Sequence, residues 1–140
     1  MNVKRQGSNW ERTVIKRIAQ VLGLKAFNSK NHNEAQIGST RQFNTNDDAK
    51  GIDVWWKGNY PVDIQCKSTT VTTKHISLPV APLERLGEKG VVLWQVLRKV
   101  NTKRKTEGCY VVMREDLFYK LLKTYYDELL RESGNQSELP

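Results

Sequence analysis

Cysteine is scarce in this chain: of 140 residues only Cys66 and Cys109 carry a thiol. Both fall on apolar positions of alternating segments, so two buried, reduced thiols are expected and a disulfide scaffold is excluded. No apolar run approaches the length that spans a bilayer, and Met1-Asn2-Val3-Lys4-Arg5 leads into a polar segment with no signal-peptide core. A soluble, intracellular protein without a membrane partner is expected. Acidic residues are also in deficit, 15 against 23 Lys plus Arg, for a formal net charge of +8. The imbalance is uneven. Residues 1–114 hold 20 basic and 9 acidic residues, net +11, whereas 115–140 hold 3 and 6, net −3. A basic body with an acidic end fits a polyanion such as a phosphate backbone; solubility alone is the plainer alternative.

What the chain does have is two short segments in which apolar and polar residues alternate. Gly51-Ile52-Asp53-Val54-Trp55-Trp56 is followed, ten residues after its aspartate, by Asp63-Ile64-Gln65-Cys66-Lys67. Period-two alternation predicts strands over 52–57 and 62–68, with Ile64 and Cys66 on one face and Gln65 and Lys67 on the other. A hairpin is expected between them: an odd loop, Gly58-Asn59-Tyr60, sets Asp53 opposite Gln65, whereas a two-residue Gly58-Asn59 turn puts them on opposite faces unless a bulge intervenes. An acid, an amide oxygen and an ammonium gathered at one place can hold a hard cation and set a lysine beside it.

Upstream, Trp10, Val14, Ile15, Ile18, Val21 and Leu22 recur at helical spacing and predict a helix over 9–22. Ser8 and Glu11 have capping-box spacing, one role for Glu11; bordering the metal site is the other. Residues 25–50 are polar and weakly periodic, with a short strand expected within Gln36–Phe43. Lys30 and Arg41 in this segment suit phosphate contacts, as do Lys4, Arg5 and Arg12 around the first helix. Asp47 and Asp48 are read as a solvated turn and His32 as a solvated side chain. Pro82 starts a short helix, Val91–Leu97 and Cys109–Met113 read as strands, and Arg98–Lys105 between them carries five cations. Among these, Lys103, Arg104 and Lys105 form a candidate phosphate-gripping finger, the alternative being a solvated basic loop. A last helix over 115–132 ends at Gly134-Asn135-Gln136-Ser137. One domain over 1–134 and a disordered tail over 135–140 are expected.

Glu11 after Gly7-Ser8, then Asp53, then Gln65-Cys66-Lys67, resembles the PD-(D/E)xK nuclease superfamily, and most nearly its archaeal-type Holliday junction resolvases. Two positions depart from the pattern: Ile52 stands where the motif has proline, and Gln65 where it usually has an acid. The resemblance implies an α/β, restriction-endonuclease-like fold with a central mixed sheet flanked by helices. It implies Mg²⁺, with Mn²⁺ as a substitute, held by Asp53, the Gln65 side-chain carbonyl, the Cys66 backbone carbonyl and Glu11, and Lys67 as the catalytic cation. The implied substrate is DNA, most plausibly a four-way junction cut in pairs by a homodimer. Two alternatives stay open: a restriction-like or repair endonuclease acting on ordinary duplex, and a DNA-binding protein that kept the scaffold but not the activity.

Overall fold

The computed structural model describes residues 3–43, 46–72 and 75–135. The side chains of Lys4 and Arg5 lie outside what is described, as do residues 136–140 of the expected tail. Helix α1 spans Val3–Leu22. It starts six residues before the predicted boundary, so Gly7 and Ser8 lie inside it and Ser8 caps nothing. Lys4, Arg5 and Gln6 are good helix formers, and they offset the roughly 1 kcal/mol that an interior glycine costs. Trp10, Val14, Ile15 and Ala19 are buried, and Trp10 Nε1 donates to the Leu93 carbonyl at 2.8 Å, which pins α1 to the sheet. Val21 and Leu22, expected on the buried stripe, are exposed because the last turn runs past the sheet.

The protein is mixed α/β. Its main sheet has three strands in the order β3-β4-β5: β3 (Asp63–Val71), β4 (Gly90–Val100) and β5 (Lys103–Met113). β3 and β4 run parallel over nine residue pairs, and β4 and β5 antiparallel. A parallel pair needs a crossover connection, and helix α2 (Ala81–Leu86), with Pro82 in its first turn, lies within it. Ile64 and Val91 pack with α1 on one face. Val71, Val92, Trp94 and Val96 pack with Leu83 of α2 on the other.

The predicted hairpin of 52–57 with 62–68 does not form. β2 (Val54–Trp56) pairs instead with β1 (Ile37–Ser39) in a separate antiparallel ribbon, Ile37 opposite Trp56 and Ser39 opposite Val54. The side-chain alternation is as expected, with Val54 and Trp56 buried and Trp55 half-exposed. The partner differs for a local reason. Asp53 N–H donates to the Ile64 carbonyl at 2.7 Å, but the next donor, Cys66 N–H, is taken at 2.8 Å by the Asp53 carboxylate. A side-chain oxygen thus stands where a strand carbonyl would continue the ladder, and pairing stops there.

β4 and β5 turn over through Asn101, whose positive φ of 57° is tolerated best by asparagine among residues with a side chain. Helix α3 (Glu115–Asn135) passes through Gly134, where it was expected to end. Cys66 is half-buried, whereas Cys109 is exposed rather than buried, because β5 is an edge strand that α1 covers incompletely. No helix among the described residues is long and apolar enough to cross a membrane.

Candidate functional site

The site is organised by the carboxylate of Asp53 at the open edge of β3. In a strand the N–H and C=O of one residue point to the same edge, so the Cys66 carbonyl faces the side from which Asp53 reaches its N–H. Asp53 Oδ1 accepts no hydrogen bond from the described residues, leaving it available to a ligand. Burial raises the Asp53 carboxyl to about 6; the Cys66 N–H opposes that rise, while Glu11 and Asp48 add to it and Arg41 reduces it. The same electrostatics tie Cys66 to the cluster. Burial, then Asp53 and Glu11, push its thiol well above the usual range, so it stays a neutral thiol beside the acids.

Glu11 is brought to this edge from α1 and is buried. Ser39 Oγ–H donates to its Oε1 at 2.6 Å, and Arg41 Nη2 bonds both carboxylate oxygens at 3.1 and 3.0 Å. Glu11 is therefore neither a helix cap nor an open ligand; it is the buried half of an ion pair. The capping box of this region is at Ser39, which accepts from Arg41 N–H while the Gln42 side chain accepts from Ser39 N–H. The sequence carried that signal as Ser39-Thr40-Arg41-Gln42, the S/T-x-x-E/Q pattern, and it would have located the residues that hold Glu11.

Gln65 is fixed by its register opposite Val92, and Lys67 by its register opposite Trp94, so both lie on the sheet face away from α1. Gln65 Oε1 is buried without a hydrogen-bond partner among the described residues, as is Trp56 Nε1. A buried acceptor left unmade costs about 1–3 kcal/mol, and such an atom calls for a donor or a cation. Lys67 is exposed. It borders a depression of about 530 Å³ with Thr69, His75 and Leu78, and no ion pair among the described residues joins it to Asp53.

Hard oxygens are carried by Asp53 and by the adjacent β3 residues Gln65 and Cys66. They are one carboxylate oxygen of Asp53, the Cys66 carbonyl and the unpartnered Gln65 carbonyl oxygen, all of the kind Mg²⁺ and Mn²⁺ prefer. No group of three or more His, Cys, Asp or Glu converges among the described residues, so the ionic charge available to a cation is low. Glu11 could join only by exchanging Arg41.

Beside Glu11 opens a cavity of about 370 Å³ lined by Arg12, Lys16, Phe27, Ser39 and Arg41. Arg12 and Arg41 of the expected DNA contacts thus meet at one mouth. Phe43 stacks on Trp55 at 3.6 Å and touches Phe27 and His32 edge-on or tilted; His32 is exposed, as expected, and sits at the rim of this aromatic cluster. Asp47 accepts the Tyr60 O–H at 2.7 Å, which makes it a brace for the loop between β2 and β3. Lys30 is exposed in a turn closed by Asn28 and does not line that cavity. Lys103, Arg104 and Lys105 begin β5, where Lys99 lies opposite Arg104 and Arg98 opposite Lys105. Like charges directly opposed destabilise a strand pair; Glu107 relieves Arg98 at 2.9 Å.

Comparison with known protein families, with characterised proteins and with solved structures gives no significant match. The functional reading therefore rests on the geometry of this chain.

Proposed function

We propose that this protein is a metal-dependent DNA endonuclease on a restriction-endonuclease-like scaffold, with a four-way junction as its substrate. The observation that carries the reading is the half-buried Asp53 carboxylate bonded to the N–H of Cys66, next in sequence to Gln65, whose side-chain oxygen is buried with no partner among the described residues. A raised, crowded carboxylate is what a protein keeps when the charge is wanted for a ligand rather than for stability. Asp53, the Cys66 carbonyl and Gln65 would hold Mg²⁺ or Mn²⁺. When bound, the cation supplies Lewis-acid polarisation of a phosphate oxygen and of water.

The remaining steps belong to the chain. Asp53 is ionised at neutral pH against its burial, and its negative charge would serve to hold the cation rather than to touch the phosphate, which it repels. Lys67, two residues beyond Gln65, orients water or meets the charge that grows on the phosphate in the transition state. Arg12 and Lys16 at the cavity mouth, and the ladder of opposed cations at the β4–β5 turn, bind backbone phosphates, which turns the cost of like-charge opposition into affinity. Paired cuts across a junction need two such sites and hence a homodimer.

A second reading is favoured by the Glu11–Arg41 pair: with Glu11 neutralised and Gln65 uncharged, the site binds DNA without cutting it. Incubation with a synthetic four-way junction and with linear duplex, in Mg²⁺, separates the readings. Paired cuts in the junction alone support the resolvase reading, and cutting of both substrates supports a general endonuclease. Binding of both without cutting supports the second reading.

A further inference from the structure

Helix α3 presents an apolar face that none of the described residues covers. Eight of its large apolar residues are 40–63 % exposed, and Leu117 alone is buried. Phe118, Leu122, Tyr125 and Leu129 follow one another at steps of four, three and four, which forms a single stripe along the helix. Taking roughly 200 Å² for each large side chain, the exposed part of all eight is on the order of 800 Å². Monomers rarely leave more than about 300–600 Å² of apolar surface in one patch, while a stable dimer buries about 800 Å² from each partner.

A receiving surface lies between α1 and β5. Trp10, Val14, Ile18 and Val111 line a groove there of about 110 Å³, with Cys109 and Tyr110 at its edge, and Tyr110 and Val111 are half-exposed. The chain's own α3 cannot turn back into it, because Arg114 alone joins Met113 of β5 to Glu115 of α3 and helix–strand reversals take about 2–6 residues. The charges match between copies. Glu115 and Glu132 border the stripe of α3, Glu128 being paired with Arg131 of the same helix, and the groove carries Arg17, held over the Trp10 ring at 5.4 Å.

We propose that α3 of one copy docks its apolar face into the α1/β5 groove of a second copy, each giving its helix and receiving the other's. The result is a two-fold dimer built by exchanged helices. It stands on exposed surface and charge, and holds whether or not the site cuts DNA. Three measurements on the full chain test it. Sedimentation at micromolar concentration is expected to give twice the mass of one 16.2 kDa chain; a monomer overturns the proposal. The double variant Leu122→Glu, Leu129→Glu alters only exposed positions, and it is expected to halve the mass while far-UV circular dichroism and cooperative thermal unfolding show that the chain is still folded. An unaltered dimer overturns the proposal. Single cysteines placed at Phe118, Leu122, Tyr125 and Leu129 are then oxidised. At least one is expected to form an intermolecular disulfide with the exposed Cys109, and to lose it in a Cys109→Ser background. Cross-links that survive Cys109→Ser mean that α3 pairs with α3, and they overturn the groove assignment.

Discussion

Asp53→Asn should make the protein more stable while removing its function. The Asp53 carboxyl is raised to about 6 from an ordinary value near 3.8, with burial the largest cause. Its folded value lies above its unfolded one, so between about pH 4 and 6 the native state keeps a proton that the unfolded chain has released. Stability therefore falls as pH rises through that window and stays low above it. The gap corresponds to roughly 2–3 kcal/mol at neutral pH. Asparagine keeps the oxygen that accepts from Cys66 N–H at 2.8 Å and carries no charge to desolvate, so it recovers most of that gap. Urea unfolding without divalent cations is the assay. At pH 7.5 the midpoint of Asp53→Asn should exceed that of the wild type by about 1–2 M, given slopes of about 1–3 kcal/mol per M. At pH 4 the two midpoints should converge, and Mg²⁺ should narrow the difference at pH 7.5 by stabilising the wild type alone. An Asp53→Asn variant less stable than wild type at pH 7.5, or a difference that ignores pH, would mean that the Asp53 charge is compensated in the fold and not held in reserve.

Lys67→Ala should abolish cleavage and leave DNA affinity within about twofold, since one cation among many adds little to the field; loss of both in a gel-shift and cleavage pair would make Lys67 a phosphate contact. Gln65→Glu should keep or raise activity and lower the Mg²⁺ concentration needed, as read from a metal titration of cleavage, because it adds a charge to a site with few. Neutralising Lys103, Arg104 and Lys105 together should reduce the slope of log affinity against log salt by about 2.7 on duplex DNA, at about 0.9 for each phosphate contact. An unchanged slope would leave the β4–β5 turn a bystander.

The strands were legible in the sequence because each depends on a local rule. Alternation alone told which of Val54, Trp55 and Trp56 would be buried, and helical spacing told that Trp10, Val14 and Ile15 would face the sheet. Partner choice was not legible. Pairing β2 with β1 rather than β3, and β3 in parallel with β4, is decided by contacts between residues distant in the chain. A hairpin reading of adjacent alternating segments has no access to them. The partners of Glu11 were hidden in the same way. Its place in sequence offered a cap or a metal-site residue, but Ser39 and Arg41, which hold it, lie 28 and 30 residues away. The extra turn of α1 before Ser8 is a different kind of failure, in which good helix formers overrode a local start signal.

Metal-dependent cutting at Asp53 is tested most directly by nicking of supercoiled plasmid with wild type and Asp53→Asn, in Mg²⁺ and in EDTA. Wild type should convert supercoiled to open-circular DNA in Mg²⁺ and not in EDTA, and the folded variant should do so in neither. Nicking that persists in EDTA, or in the variant, or that is missing from wild type in both Mg²⁺ and Mn²⁺, would contradict the site.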